Sequence, residues 1–205
     1  MLSLLFPSIP RTLTATSNPI STEDGASTFE FFSNNPTAKF AMKGRQKPGE
    51  TINVPPYHWH KYQTETFLIH SGVMRATVEG ADKFMHAGQS VTIEPGVYHT
   101  YHNGSETEDL ILSTGLDPAE RERDEAFFRN LTSYLDDCRK AHRAPQTPQL
   151  FLFLYFFDCY LALPGPKPIM KPVSQALVFF VGVVIGKWLL GMKESYPEYY
   201  KKASE

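Results

Sequence analysis

The chain has 205 residues, which is enough for one domain with appendages or for two small domains. Its formal net charge is −2 and no block of Lys and Arg stands out, so the composition gives no reason to expect a nucleic-acid partner. The two cysteines, Cys138 and Cys159, are too few for a disulfide scaffold, which excludes the small disulfide-rich secreted proteins. A reducing compartment fits this cysteine content, and we expect an intracellular protein.

The first ten residues are apolar, but they lack the pattern of a signal peptide. No basic residue precedes Arg11, and Pro7 and Pro10 interrupt the apolar run. A signal peptide needs a basic start and a longer apolar stretch. We therefore expect residues 1–27 to form an N-terminal arm that is either packed on the domain or mobile.

Short strand-like segments follow, between residues 28 and 116. Met74, Ala76 and Val78 alternate with polar residues, which is the period-two pattern of a half-buried strand. Breaks such as Lys47-Pro48-Gly49 and Glu94-Pro95-Gly96 separate the segments. Closely spaced strands with Gly and Pro turns predict an antiparallel sandwich or barrel.

Residues of the metal-binding type concentrate in two stretches of this strand region. His58 and His60 are one residue apart, so on a strand both imidazoles lie on the same face. We expect Glu65 and His99, from neighbouring strands, to converge on the same point. Three imidazoles and one carboxylate suit a divalent first-row metal and can leave coordination positions open for a substrate.

The spacing of these residues resembles the two motifs of the cupin superfamily. The first motif is His-x-His followed by Glu and Gly, and the second is a glycine turn followed by His and Asn. The matching residues are His58, His60, Glu65 and Gly72 in the first motif, and Gly88, Gly96, His99 and Asn103 in the second. Ile52 and Glu94 depart from the pattern, in place of a glycine and a proline, and concern loop shape rather than the metal ligands.

This resemblance spans residues 40–115 and implies a mainly β fold, a jelly-roll cupin barrel over residues 28–116. It also implies a divalent metal ion as cofactor, with iron favoured and Mn, Ni or Zn as alternatives. The ligands it implies are His58, His60, Glu65 and His99.

Other residues near the motifs are assigned from the strand period. Tyr101 shares a face with His99, and Phe67 with Glu65, so we expect both aromatic rings to line the pocket. Tyr101 is the candidate catalytic residue, and the alternative is a packed aromatic with a satisfied hydroxyl. His70 and His102 fall on the opposite faces of their strands, so we predict that neither is a ligand.

A helix is predicted for residues 117–144, as a packing element. Asp117 is expected to cap it, with Pro118 in the first turn and Glu120 at the capping-box position. Residues Phe127, Leu131 and their helical neighbours make one apolar face. We expect this face to pack across the barrel or on a partner subunit.

The remaining segment, residues 145–205, is predicted to be an apolar helical pair followed by a polar, solvated or interfacial tail. Leu150–Leu163 is too short to cross a bilayer, whereas Val173–Met192 is about long enough, since roughly 20 residues are needed. Gly182 and Gly186 form a small-xxx-small pair that lets helices approach closely.

Two alternatives for this helical pair stay open. One is membrane association through residues 150–192, which the length of the second run favours. The other is a pair buried against the barrel or across a homodimer, which Lys167 and Lys171 favour because they would also have to cross the membrane.

Three hypotheses for function follow, because a cupin fold alone does not fix the chemistry. The first is a metal-dependent oxidoreductase, similar to dioxygenases, that acts on a small apolar, aromatic or polyketide-like molecule. The second is a redox-neutral isomerase, cyclase or lyase in which the metal is a Lewis acid. The third is a non-enzymatic ligand-binding cupin. The single cupin unit and the apolar C-terminal segment look most like the small cupins of fungal secondary metabolism.

Overall fold

A computed structural model describes residues 8–33, 35 and 37–202 of the chain. The first seven residues of the expected N-terminal arm therefore lie outside the described residues. The chain divides into two compact units, one of residues Ser17–Glu125 and one of residues Met1–Thr16 with Ala126–Glu205. The division falls within the first long helix.

The described residues of the unit 17–125 form ten strands. They are β1 Ile20–Thr22, β2 Ser27–Phe31, β3 Met42–Gln46, β4 His58–His60, β5 Thr64–Ser71, β6 Val73–Val78, β7 Ala81–His86, β8 Ser90–Ile93, β9 His99–Asn103 and β10 Leu110–Asp117. One sheet has the order β1-β2-β3-β10-β5-β8, and the strands β4-β9-β6-β7 run side by side in the other. Neighbouring strands of this unit pair antiparallel in both sheets.

The apolar faces of the two sheets form the core of this unit. On β6, Met74, Ala76 and Val78 are buried while the alternate residues are half-buried, as the period-two pattern predicts. The core consists of Phe67, Ile69, Met74, Ala76, Val78, Ile93, Leu110 and Leu112. The prediction of a mainly β, jelly-roll fold with a C-terminal helical extension is confirmed.

The turn between β5 and β6 shows why one motif glycine is needed. Gly72 has φ +75, in the left-handed region that favours glycine. A Cβ at this position would lie 2.4 Å from the carbonyl oxygen of Asp109. Only a residue without a side chain lets the turn approach the start of β10 this closely.

The helix predicted from Asp117 begins later in the structure. Asp117 is the last residue of β10 and pairs with Thr64 on β5, so the ladder extends through the position assigned to the cap. Helix α1 covers Arg121–Lys140. The backbone N–H of Glu120 donates to Oδ2 of Asp124 at 3.0 Å. The expectation that Asp117 opens the helix is therefore wrong, because strand pairing claims that residue.

The second unit contains most of α1 and the C-terminal elements. These are α2 Thr147–Phe156, the short strand β11 Cys159–Leu161, α3 Lys167–Val178 and a π-helical continuation of α3, Phe179–Leu189. A separate core joins them, with Tyr134 and Cys138 of α1 against Phe153 of α2. The apolar face of α1 thus packs on the C-terminal segment of its own chain.

The tail after Lys193 is not solvated in the way its composition suggests. Tyr199 is fully buried, and its hydroxyl donates to Oδ2 of Asp137 at 2.7 Å. The hydroxyl of Tyr196 donates to Oε1 of Gln149 at 2.6 Å. The expectation of a solvated or interfacial tail is wrong for these two tyrosines, because α1 and α2 supply partners for their hydroxyl groups.

The small-residue pair of the C-terminal helix faces α2 of the same chain. A Cβ on Gly182 would lie 2.6 Å from the backbone nitrogen of Leu152, and one on Gly186 would lie 2.9 Å from the carbonyl oxygen of Pro148. The two backbones are thus in direct contact, which only glycine permits. This face is therefore occupied within the chain.

We predict that Gly182→Ala destabilises the protein, because the new methyl group overlaps the backbone of α2. Overpacking of this kind costs about 1–3 kcal/mol of unfolding free energy. In an unhindered helix interior the same substitution would stabilise by about 0.5–1 kcal/mol. Thermal unfolding followed by circular dichroism measures the difference. Ala176→Leu, at an exposed position of α3, is the control and should change little. An unchanged or higher melting temperature in Gly182→Ala would contradict the packing.

Candidate metal centre

Three strands bring the four predicted ligands together. His58 on β4 is directly opposite His99 on β9, and Glu65 lies near the start of β5. His60 is two residues from His58, so its ring points to the same face. One ligand atom from each of His58, His60, Glu65 and His99 lies within 4.8 Å of the others. All four side chains are buried.

The donor atoms converge on one oxygen. Oε2 of Glu65 lies 3.0 Å from Nε2 of His99 and 3.4 Å from Nε2 of His60. The Nε2 atoms of His58 and His60 are 3.2 Å apart. The site therefore presents three imidazole nitrogens and a carboxylate around one small volume.

Backbone carbonyls fix the orientation of two of the imidazoles. Nδ1 of His58 donates to the carbonyl oxygen of Pro56 at 2.8 Å, and Nδ1 of His99 donates to that of Val97 at 3.0 Å. A carbonyl oxygen can only accept, so Nδ1 carries the proton in both rings. In the neutral rings the lone pair is then on Nε2, which faces the centre of the cluster. This second layer of contacts is the usual way in which metal-binding histidines are oriented.

Burial and mutual charge set the protonation of the cluster. Desolvation, with the nearby His99 and His60, lowers the pKa of His58 to about 3, so this ring is neutral at physiological pH. The pKa of Glu65 is lowered because hydrogen bonds from His60 and His99 outweigh its desolvation. The pKa of His99 is raised because its contact with Glu65 outweighs burial. The contact with Glu65 therefore favours the protonated form of His99.

This donor set fits a divalent metal ion. Imidazole and carboxylate are borderline or hard ligands that suit first-row ions such as Fe²⁺, Mn²⁺, Ni²⁺ and Zn²⁺. The Nε2 atoms of His58 and His60 are 3.2 Å apart. A cation between them would accept a lone pair from each ring, with release of any proton that these nitrogens hold. The geometry therefore fits the ligand set that the resemblance implies.

The remaining histidines of the barrel lie elsewhere. Nε2 of His70 is 2.8 Å from Oγ of Ser113, and His86 is exposed at the end of β7. Neither these two nor His102 belongs to the cluster found among the described residues. Asn103 has a structural part, since its Nδ2 donates to the carbonyl oxygens of Gln46 and Glu108.

An aromatic pair adjoins the four ligands. The rings of Phe67 and Tyr101 lie 4.8 Å apart between centroids. Phe67 is buried and Tyr101 is half-buried. Burial, together with the charges of Glu65 and Glu50, raises the pKa of the Tyr101 hydroxyl. Tyr101 is therefore a hydrogen-bond donor at neutral pH, next to the metal ligands.

A residue that sequence inspection did not single out anchors the loop between the ligands. Gln63 lies between His60 and Glu65 in the sequence, and its side chain is buried. Its Nε2 donates to the carbonyl oxygen of Pro118 at 2.9 Å and to Oδ1 of Asp124 at 3.1 Å. These contacts tie the β4–β5 loop to the start of α1. No spacing rule identifies such a residue, because its partners lie more than fifty positions away in the chain.

Several known proteins are similar to this chain. The probable oxidoreductase virH of Hypocrea virens is 29% identical over 98% of this chain and 94% of its own length. The probable oxidoreductase yanE of Aspergillus niger is 27% identical over 94% of this chain and 80% of its own length. Among solved structures, a cupin 2 conserved barrel domain protein from Salinispora arenicola has a TM-score of 0.37 and 21% identity, covering 47% of this chain and 78% of that one.

We predict that His60→Ala abolishes metal retention, because it removes one imidazole of the buried set. The His58→Ala, His99→Ala double variant should likewise retain none. Elemental analysis of protein purified without added metal measures the content. His86→Ala is the matched control, since this histidine is exposed and outside the cluster. A crystal structure with the ion should show ligand distances of about 2.0–2.2 Å. Full occupancy in the double variant would show that the ligand assignment is wrong.

A family profile also matches the strand region. The profile described as "Cupin domain" covers residues 45–114, which include all four clustered residues and Tyr101. The two antiparallel sheets of this unit and the spacing of its histidines and glycines agree with that match. We conclude that residues 45–114 of this chain are a cupin domain.

Proposed function

We propose that this protein is a metal-dependent cupin oxidoreductase that acts on a small apolar, aromatic or polyketide-like molecule. The observation that carries the proposal is the buried cluster of His58, His60, Glu65 and His99 beside an aromatic pair. The names of the fungal relatives support an oxidoreductase-type role at a coarse level. We further propose iron as the metal and dioxygen as the oxidant.

The groups of the chain itself have separate tasks in this proposal. A bound divalent ion supplies positive charge that holds an anionic or enolate-like oxygen of the substrate. The ring of Phe67 offers an apolar surface to an aromatic substrate, and the Tyr101 hydroxyl donates a hydrogen bond to a polar group on it. Burial of the four ligands excludes bulk water, which strengthens these electrostatic contacts.

The exposed face of the C-terminal helix suggests a partner. Lys167–Leu189 is 23 residues long, and its most apolar stretch of 18 residues has mean hydropathy 1.8 and is 28% buried, so its length and composition are enough to cross a bilayer. Phe180 is 55% exposed and Trp188 is 64% exposed. No acidic residue occurs between Lys167 and Met192, whereas three lysines do. Gly182 and Gly186 already face α2, so the free face is the bulky, apolar one.

We propose that this face docks on an anionic lipid surface inside the cell. Large aromatic and aliphatic side chains suit the acyl boundary, and the lysines suit anionic headgroups. The alternative occupant is a second copy of the chain, because the sequence of residues 150–192 also fits burial across a homodimer. We favour lipid because the small-residue face, which lets helices pair closely, is occupied within the chain.

We predict oxygen uptake by the Fe²⁺-loaded protein with a phenolic substrate, and a slower reaction in Tyr101→Phe. Loss of the hydroxyl should lower kcat/KM by about tenfold or more, because a buried polar group of the substrate loses its partner. Metal content should stay unchanged. Tyr62→Phe is the control, since Tyr62 is 56% exposed.

The oxygen electrode also separates the alternatives for the reaction. Turnover without oxygen uptake would favour the redox-neutral isomerase, cyclase or lyase. Equal rates in wild type and Tyr101→Phe would assign Tyr101 to packing alone.

We predict that the protein cosediments with vesicles of phosphatidylcholine and phosphatidylserine and stays bound through a high-salt wash. Salt weakens charge-mediated adsorption but not apolar insertion. A Phe180→Gln, Trp188→Gln double variant should bind at least about tenfold more weakly, because each large apolar side chain contributes roughly 1.5–3 kcal/mol when fully buried. Phe84→Gln, at a 54% exposed aromatic of β7, is the control. If the protein is a dimer in solution and does not bind vesicles, the homodimer replaces the lipid surface as the proposed occupant of this face.

A further inference from the structure

A second group of buried polar side chains lies near the aromatic pair and has no part in metal binding. It belongs to β3 and to the turn that follows. Lys47 to Glu50 form a turn with Pro48 in its second position and Gly49, at φ +77, in its third, the residue pattern of a type II turn. The turn directs Glu50 back to the interior, where it is 9% exposed.

The hydrogen bonds of this group are only partly made. The backbone N–H of Asn53 donates to Oε1 of Glu50 at 2.6 Å. Oε2 of Glu50 is buried and has no hydrogen-bond partner within the described part of the chain. The same holds for Oε1 of Gln46, whose side chain is 4% exposed. Both atoms are acceptors only.

The group adjoins the Tyr101 side of the metal cluster. Asn103, two residues after Tyr101 on the same face of β9, donates from Nδ2 to the carbonyl oxygen of Gln46 at 3.0 Å. This contact joins the end of β9 to the end of β3. Gln46 is also opposite Leu110 on β10, and Leu110 belongs to the core cluster that contains Phe67 and packs against Tyr101. The end of β3 is thus close to the aromatic pair.

A buried carboxylate oxygen without a donor is costly, so a donor is expected from outside the chain. Buried acceptors without a donor, such as these two, can bind an O–H group. The neighbouring rings of Phe67 and Tyr101 provide an apolar surface for a carbon skeleton. Metal ligation does not explain the pair, since neither Glu50 nor Gln46 belongs to the ligand cluster.

We propose that Glu50 and Gln46 form a polar subsite that binds a hydroxyl group of the substrate, while the substrate's ring packs against Phe67 and Tyr101. The substrate class is therefore a hydroxylated aromatic or alicyclic molecule. This inference rests on the proposed function of the site. It adds the substrate group, a hydroxyl, by which the site distinguishes between small molecules.

The test compares two probes in which the hydroxyl hydrogen is either present or replaced by a methyl group. 2-Naphthol has the donor, and 2-methoxynaphthalene does not. Binding of each to the Zn²⁺-loaded 205-residue chain is measured by calorimetry and by saturation-transfer NMR, since zinc permits no redox turnover. The wild type should bind 2-naphthol about tenfold more tightly, the scale of one hydrogen bond to a charged acceptor.

Glu50→Gln should remove or invert this preference. Its amide oxygen can still accept from Asn53 N–H, which turns the NH₂ group, a donor, toward the subsite. A purely structural role for Glu50 would lower the melting temperature without changing the preference between the probes. Glu30→Gln is the matched control, because Glu30 is exposed on β2. Gln46→Met removes the second acceptor at similar volume and should reduce the preference for 2-naphthol. This variant tests the subsite if Glu50→Gln does not fold.

The outcomes separate this inference from the proposed function. A wild type without preference for 2-naphthol, or a Glu50→Gln variant with the preference intact, would overturn the subsite. If Glu50→Gln does not fold, a Gln46→Met variant that keeps the full preference for 2-naphthol would also overturn the subsite. A preference that these variants lose, in a protein that shows no oxygen uptake after iron loading, would support the subsite and reject the oxidoreductase assignment alone.

Discussion

The contact on which the candidate site depends is that of the buried Glu65 carboxylate with the imidazoles around it. Oε2 of Glu65 lies within 3.4 Å of two Nε2 atoms, those of His60 and His99. Burial alone would raise the pKa of this carboxyl group, and only the imidazoles reverse that effect. The charge can therefore stay buried only while a proton or a cation is present beside it. A divalent ion would meet this requirement, and His58, His60, His99 and Glu65 are the residues that would hold it.

Strand register makes that contact possible. His58 is opposite His99 in one sheet, and Glu65 comes from β5 in the other, so the cluster exists only while the two sheets hold their spacing. The core residues of both sheets maintain this spacing, and Gln63 fixes the loop between two ligands to the start of α1. The carbonyl groups of Pro56 and Val97 then set the imidazole tautomers. The geometry of the site therefore depends on the packing of the barrel.

The second unit contains a strongly apolar helical segment, Lys167–Leu189. Glycine contacts let the π-helical segment and α2 bury one face against each other at backbone distance. The bulky side chains are left on the other face, where Phe180, Trp188 and Leu189 are exposed. Exposed apolar area of this kind is unfavourable in water. The same helix thus has one face that packs within the chain and one that we propose for association.

The sequence by itself determined the features that depend on local period and spacing. His-x-His places two rings on one strand face, Tyr101 shares the face of His99, and glycine spacing indicates turns, so the fold class and the proposed ligands could be predicted. The structure decided what depends on distant partners. β10 pairs through Asp117 and delays α1 to Arg121. Tyr196 and Tyr199 are buried although charged residues surround them, because α1 and α2 supply acceptors. Glu50 is directed inward by a turn whose role no periodicity shows. Local pattern fixes which face a side chain occupies, whereas tertiary packing fixes what that face meets.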